Sequence, residues 1–239
     1  MALPKLVTPT YELKIPSSGK EISYRPFLVK EEKILLMALD SEDNSEQIKA
    51  IRQIMNNCIL DDVNTKDLPM FDLEYIFLQL RAKSVGEVVS LEFNCEGCDT
   101  PIQLDIDISK IQIKETPGHT NKVEISDEIG MMLNYPKMDV ISLMGGEDLE
   151  DNKKSFDILL NMIVGCIDSI YDNDQVYKPE DSTPEEMKEF LLNLSQTQFE
   201  KINQFFETMP KLEHEVHVEC NKCNHTEERT IQGMQSFFG

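Results

Sequence analysis

Positive charge is what this sequence has least of. Its 23 lysines and arginines face 44 aspartates and glutamates across 239 residues, a formal net charge of −21, and the pI is near 4.5. A chain this acidic is repelled at long range by a nucleic-acid backbone and by an anionic membrane surface, so neither is an expected partner; neutral or basic proteins are. The shortage persists locally. In the C-terminal stretch Lys222 and Arg229 are nearly the only cations beside Glu213, Glu215, Glu219, Glu227 and Glu228, which leaves no face to track phosphates.

Long apolar runs are missing too. None approaches the roughly 18 residues that suggest a membrane span, and Met1 to Leu6 is too short and too interrupted for a targeting segment. Six cysteines in a chain without a signal peptide indicate a reducing, soluble compartment. Catalytic motifs are absent as well: there is no Gly-rich phosphate loop, no G-x-S-x-G and no H-E-x-x-H. The four histidines lie in loops or strands without a paired nucleophile, so no catalytic or cofactor-binding residue is assigned.

What the sequence does have is a pair of twins, Cys95-Glu96-Gly97-Cys98 and Cys220-Asn221-Lys222-Cys223. Val89, Leu91 and Phe93 alternate before the first, and Ile102, Leu104, Ile106 and Ile108 after it, which puts the C-x-x-C at the turn of a β-hairpin. His214, Val216 and Val218 alternate before the second, and Asn224-His225-Thr226 leads into a short strand ending at Ile231. Two such knuckles facing each other set four thiolates at tetrahedral corners, the arrangement of a closed structural Zn2+ site. Free thiols, or a disulfide within each pair, are the plain alternative. A thioredoxin-like motif opens a helix, whereas here alternation resumes directly after Cys98. His225 in place of Cys223 is a further alternative; His119, His214 and His217 read as solvated loop or strand residues. Four cysteines leave no open position for water, so the metal argues for a scaffold and against a hydrolase.

Along the rest of the chain, Tyr11, Leu13 and Ile15, a Ser17-Ser18-Gly19-Lys20 turn, and Ile22 and Tyr24 predict a hairpin. Helices are expected over Phe27 to Asp40 and Glu46 to Cys58, the latter placing Cys58 on its core face. A third, starting near Pro69, has Phe71, Tyr75, Leu78 and Ala82 on one face. After the turn Glu115-Thr116-Pro117-Gly118, Val123, Ile125 and Gly130 to Leu133 predict a small hairpin, and Asp139 to Met144 a short helix stopped by Gly145-Gly146. An acidic loop, Glu147 to Asp151, precedes the most periodic helix, in which Phe156, Leu159, Leu160, Ile163, Ile167 and Ile170 trace one face beside Cys166. Its exit, Asp168 to Asp174, lacks the glycine and distal glutamate of an EF-hand loop. Thr183-Pro184-Glu185-Glu186 and Ser195-Gln196-Thr197-Gln198 are capping boxes, the second opening a helix that carries Phe199, Ile202, Phe205, Phe206 and Met209. The apolar end, with Ile231, Met234, Phe237 and Phe238 spaced for one helical side, tucks into the core or docks on another subunit.

The expected fold class is α+β: a discontinuous zinc ribbon of two C-x-x-C β-hairpins (86–113 and 212–232) with an inserted, mostly helical segment (114–211). An N-terminal β-hairpin plus helices (1–85) precedes it, and an apolar tail (233–239) ends it. The residues alone reach an acidic, metal-stapled scaffold, with an acidic zinc-ribbon adaptor for a basic protein partner as one function such a scaffold serves.

The run from Phe199 to Met209 with Pro210, the strand that follows, Cys220-x-x-Cys223, and the closing Ile231-x-Gly233-Met234-x-Ser236-Phe237-Phe238-Gly239 resemble the baseplate hub proteins of T4-type contractile-tailed phages. That resemblance implies a non-enzymatic tail protein that acts in assembly of the central hub, as a structural subunit or as an assembly factor. Its implied partners are other baseplate hub or tail proteins, met through Phe237, Phe238 and the acidic surface. Its implied locations are the tail baseplate of the virion and the host cytoplasm during assembly. The metal expectation rests on the four cysteines, not on the family.

Overall fold

Helix α3 (Met70–Ser84) is the partition between two hydrophobic cores. Leu73, Ile76, Phe77 and Leu80 enter a core shared with the N-terminal region; Tyr75, Leu78 and Ala82 enter a second one beneath two β-hairpins. A helix this apolar around its circumference has to be enclosed on both sides. The expected single face thus accounts for half of it, and Phe71 departs from that face to meet Tyr135 edge-on, with ring centroids 5.2 Å apart. The computed structural model describes residues 6–39, 44–142, 152–233 and 236. Gly145-Gly146, the Glu147 to Asp151 loop, Met234, Phe237 and Phe238 lie outside them.

On the N-terminal side, β1 (Tyr11–Lys14) and β2 (Glu21–Tyr24) form the expected antiparallel hairpin, paired from Tyr11↔Tyr24 to Lys14↔Glu21. Gly19, at φ +68°, closes its turn in a conformation that favours glycine. Helices α1 (Val29–Leu39) and α2 (Asn44–Cys58) follow, and Ile54, Met55 and Cys58 pack with Ile15, Ile22 and Tyr24. Cys58 is fully buried, and burial pushes its thiol up to about 11.

The second core lies under hairpins β3 (Val88–Asn94) with β4 (Pro101–Asp107), and β10 (Lys211–Glu219) with β11 (Thr226–Gln232). Between β4 and β10 come β5 (Ile113–Lys114), which pairs with the start of β10, and the inserted segment. Val89, Leu91, Ile106, Val216, Val218 and Ile231 all face inward, the two-residue period that a half-buried strand requires.

The insertion has its own core, built on a sheet ordered β6-β7-β8-β9 and covered by helices. Its strands are β6 (Lys122–Glu124), β7 (Gly130–Leu133), β8 (Ile167–Tyr171) and β9 (Val176–Tyr177); its helices are α4 (Met138–Ser142), α5 (Asn152–Cys166), α6 (Pro184–Leu192) and α7 (Gln196–Thr208). Both capping boxes are present, at Thr183 and Ser195. One expectation is corrected: α5 ends at Cys166, and Ile167 and Ile170 belong to β8. Three-residue spacing on one face is a helical signal, and a regular strand would point Ile167 and Ile170 to opposite sides. The pairing register shifts between Met132 and Leu133, which leaves Asp168 as an extra residue. This bulge turns both isoleucines into the core. Among the described residues no helix is long and apolar enough to cross a membrane.

Candidate metal centre

Each hairpin carries its two cysteines at its tip, and the two tips repeat each other bond for bond. In the first, Cys95 N–H donates to the Thr100 carbonyl at 3.0 Å and Asp99 N–H to the Cys95 carbonyl at 2.8 Å. In the second, Cys220 N–H donates to the His225 carbonyl and Asn224 N–H to the Cys220 carbonyl, both at 2.9 Å. The residue after the second cysteine is left-handed in both, Asp99 at φ 54° and Asn224 at φ 58°. Asp and Asn tolerate that region better than other side-chain-bearing residues. Two segments so far apart in sequence have therefore been given the same turn by the same kind of residue.

The turns face each other and bring all four sulfurs within 4.8 Å. Cys95 Sγ lies 3.6 Å from Cys223 Sγ, and Cys98 Sγ 3.7 Å from Cys220 Sγ. Tetrahedral zinc with Zn–S of about 2.3 Å puts neighbouring sulfurs about 3.8 Å apart, and both of these separations match that spacing, so the donor set is compatible with that ion. Cys95 and Cys220 are buried, whereas Cys98 is half-buried and Cys223 exposed. The first cysteine of each knuckle thus rests on the hydrophobic core and the second caps it. Gly97 permits the approach: a Cβ there would stand 3.2 Å from His225 Cβ and 3.4 Å from Cys223 Sγ.

The field at the sulfurs is uneven. The Thr100 hydroxyl and N–H hold the Cys98 thiol down, to about 6, and the N–H groups of Cys223 and Lys222 hold Cys220 below its ordinary range. At Cys223 the His225 N–H acts in the same direction, but the sulfurs of Cys98, Cys95 and Cys220 outweigh it and push the thiol up to about 12. Negative charge on one sulfur opposes charge on the next unless a cation sits among them.

His119 and His217 stand apart from this cluster. His119 is stacked among Tyr135 and Phe205, with Nδ1 2.9 Å from the Thr208 hydroxyl, and burial lowers its pKa. It is therefore a packed residue rather than the solvated one its loop suggested. His217 Nδ1 is 2.8 Å from Glu228. Asp172, in the acidic stretch, accepts from the N–H groups of Asp174 and Gln175 and from the Tyr177 hydroxyl, which closes the β8–β9 turn. A second group, Glu96, His225 and Glu227, also gathers within 4.8 Å beside the cysteines. Its only sequence signal is that Glu96 lies within one C-x-x-C and His225 and Glu227 within four residues of the other, and a knuckle's polar residues ordinarily face water.

The family model described as T4 bacteriophage base plate protein matches residues 8–239. The baseplate hub assembly protein gp26 of Enterobacteria phage T4 is 24% identical over 231 residues, which cover 95% of this chain and 97% of that protein. No solved structure matches the chain significantly.

Proposed function

Because the chain belongs to the T4 bacteriophage base plate protein family, we propose that it is a non-enzymatic tail protein acting in assembly of the baseplate central hub, with one structural zinc held by Cys95, Cys98, Cys220 and Cys223. The observation that carries the assembly role is the match along nearly the whole chain to a family and a relative of that description. Agreement over one domain would point only to a shared module; agreement from residue 8 to the end supports a shared role.

The zinc supplies rigidity rather than chemistry. It joins the hairpins of 86–113 and 212–232 into one ribbon, and the inserted 114–211 and the N-terminal 1–85 are carried on that frame. A surface of net charge −21 keeps the unassembled protein soluble and draws it toward basic surfaces of other hub or tail proteins. The C-terminal segment 233–239, with Phe237 and Phe238, supplies an apolar contact to the same partners. The protein acts in the host cytoplasm while baseplates form and belongs to the baseplate of the tail.

The test is infection with a phage whose copy of this gene carries an early nonsense codon, followed by electron microscopy of the lysate. Loss of complete baseplates, restored by the wild-type chain supplied from a plasmid, is the expected result. Normal baseplates in the mutant lysate would overturn the reading.

A further inference from the structure

Glu227 is on the wrong side of its strand for an acid. Along β11 the residues Glu227, Arg229 and Ile231 face inward, opposite Val218, Val216 and His214 of β10, and the Glu227 side chain is only 10% exposed. One of its oxygens is accounted for. Arg229 donates to Oε1 through Nε and Nη2, both at 2.7 Å. The guanidinium is itself fixed by the Asn94 carbonyl at 2.6 Å and lies over the Phe93 ring. The other oxygen, Oε2, is buried with no hydrogen-bond partner. It points toward His225 Nε2, 3.8 Å away, and Glu96 from the opposite knuckle completes a group whose ligand atoms all lie within 4.8 Å.

A buried carboxylate oxygen without a donor costs free energy that a neutral environment does not return. A cation at that point removes the cost. We propose that Glu96, His225 and Glu227 form a second metal site, distinct from the cysteines, for a divalent first-row transition ion such as Zn2+. One imidazole nitrogen and two carboxylate oxygens make a donor set suited to such ions and poor for a soft ion such as Cu(I). Metal–ligand bonds of about 2.0 to 2.2 Å place neighbouring donors a little over 3 Å apart. The 3.8 Å separation of His225 Nε2 from Glu227 Oε2 closes to that value with a small rotation of the histidine, which is partly exposed. Arg229 takes the part that outer hydrogen-bonding groups take around metal ligands: it fixes one carboxylate oxygen so that the other is aimed at the ion.

Three protein ligands leave a coordination position for water, in contrast to the closed cysteine set. Glu96 belongs to the first knuckle and His225 and Glu227 to the second, so the ion ties the two tips from outside.

Cobalt uptake by the full chain, purified with its resident metal undisturbed, tests this. Cobalt bound by nitrogen and oxygen gives weak d–d absorption, whereas cobalt bound by cysteine adds an intense thiolate charge-transfer band, so the two sites are told apart in one spectrum. The expected result is one Co2+ per chain taken up without the charge-transfer band. That uptake should weaken by about tenfold or more in His225→Ala and in Glu227→Gln, while the metal held by the cysteines stays as in wild type; Glu227→Gln also removes the charge paired with Arg229, so the melting temperature is read on His225→Ala. Glu227→Gln keeps an oxygen for Arg229 and removes only the charge, and retention of the cysteine-bound metal shows that the variant is folded. No band-free uptake, or uptake equal to wild type in both variants, overturns the proposal. So does a charge-transfer band that disappears with His225→Ala, which would put His225 in the cysteine shell. A chain whose cysteines take no metal but which still shows band-free uptake refutes the structural zinc and leaves this site standing.

Discussion

Ser17, in the turn of the N-terminal hairpin, donates both its N–H and its hydroxyl to the carboxylate of Asp72 at the start of α3. Asp72 is wholly buried, so this one serine fastens the hairpin to the central helix and supplies the polar partners of a carboxylate that has left water. Burial raises the Asp72 pKa, and the two Ser17 bonds offset that only in part.

Replacing Ser17 with Ala should therefore cost about 1 to 3 kcal/mol, the usual result of stripping a donor from a buried polar group. The sign of its pH dependence follows from the raised pKa. The missing bond is one made to the charged form, so the deficit is full at neutral pH and shrinks as pH falls through the raised folded-state value and Asp72 takes a proton. Urea unfolding of wild type and S17A at neutral and acid pH checks this. A deficit that grows on acidification would contradict it.

Glu31 behaves in the opposite way. Its side chain is completely buried, 3.0 Å from Arg25 Nη2 and 3.3 Å from Lys30 Nζ, and it accepts the Leu28 N–H at 2.9 Å. Burial alone would raise its pKa, but the bonds from Arg25 and Leu28 prevail and lower it. A depressed carboxylate adds stability above its unfolded value of about 4.3 and loses it as pH falls through the folded value. Glu31→Gln should cost on the order of 3 kcal/mol at neutral pH, since it strands the mostly buried Arg25, and much less in acid. Chemical denaturation across that range is the measurement.

Gly130 lies in β7 under the ring of Tyr171, its partner in β8, and a Cβ there would collide with the ring carbons and hydroxyl. Gly130→Ala should destabilise by about 1 to 3 kcal/mol, the range for overfilling a packed site. Tyr171→Ala removes the obstacle, so the double variant should lose less than the two single losses added. A cycle of thermal melts reads the coupling directly.

Metal removal is the sharpest test of the ribbon. Elemental analysis of protein never exposed to chelator should give at least one zinc per chain, because a closed thiolate site releases its ion slowly. Ser in place of Cys95 or Cys220, on the core side, should abolish zinc retention and lower the melting temperature steeply, since metal binding to a site formed only on folding is folding free energy, on the order of 10 kcal/mol. Zinc below half an equivalent would refute the site.

Much of this architecture is legible in the sequence because its signals are short-range. The capping boxes at Thr183 and Ser195 are spelled out within four residues, and each C-x-x-C hairpin announces itself by alternation on both sides. What escapes a linear reading depends on distant partners. Ile167 and Ile170 continue the spacing of α5 perfectly, and only the strand waiting at Met131 and Leu133 makes them β. Leu73, Ile76, Phe77 and Leu80 give α3 a second apolar face, whose meaning appears once two cores are seen to share the helix. Glu227 sits in a run of charged residues, where only the two-residue period running back from Ile231 puts it on the inward face. The fold class and the cysteine cluster follow from local pattern; the bulge at Asp168, the Ser17–Asp72 fastening and the group beside the cysteines follow from tertiary register.

The ribbon also imposes an order in time. Its first hairpin is complete at Asp107, but the second starts at Lys211, so on the ribosome the first knuckle offers two thiolates and half a core while the insertion is made. At the ~5 to 20 residues per second of synthesis, that interval lasts on the order of five to twenty seconds, long enough for the insertion to gather its own core before its base is closed. A chain cut short between Asp107 and Cys223 retains the N-terminal elements and the first hairpin yet can never complete the cysteine site. A metal held by those four thiolates would thus be a mark that only translation past Cys223 can leave.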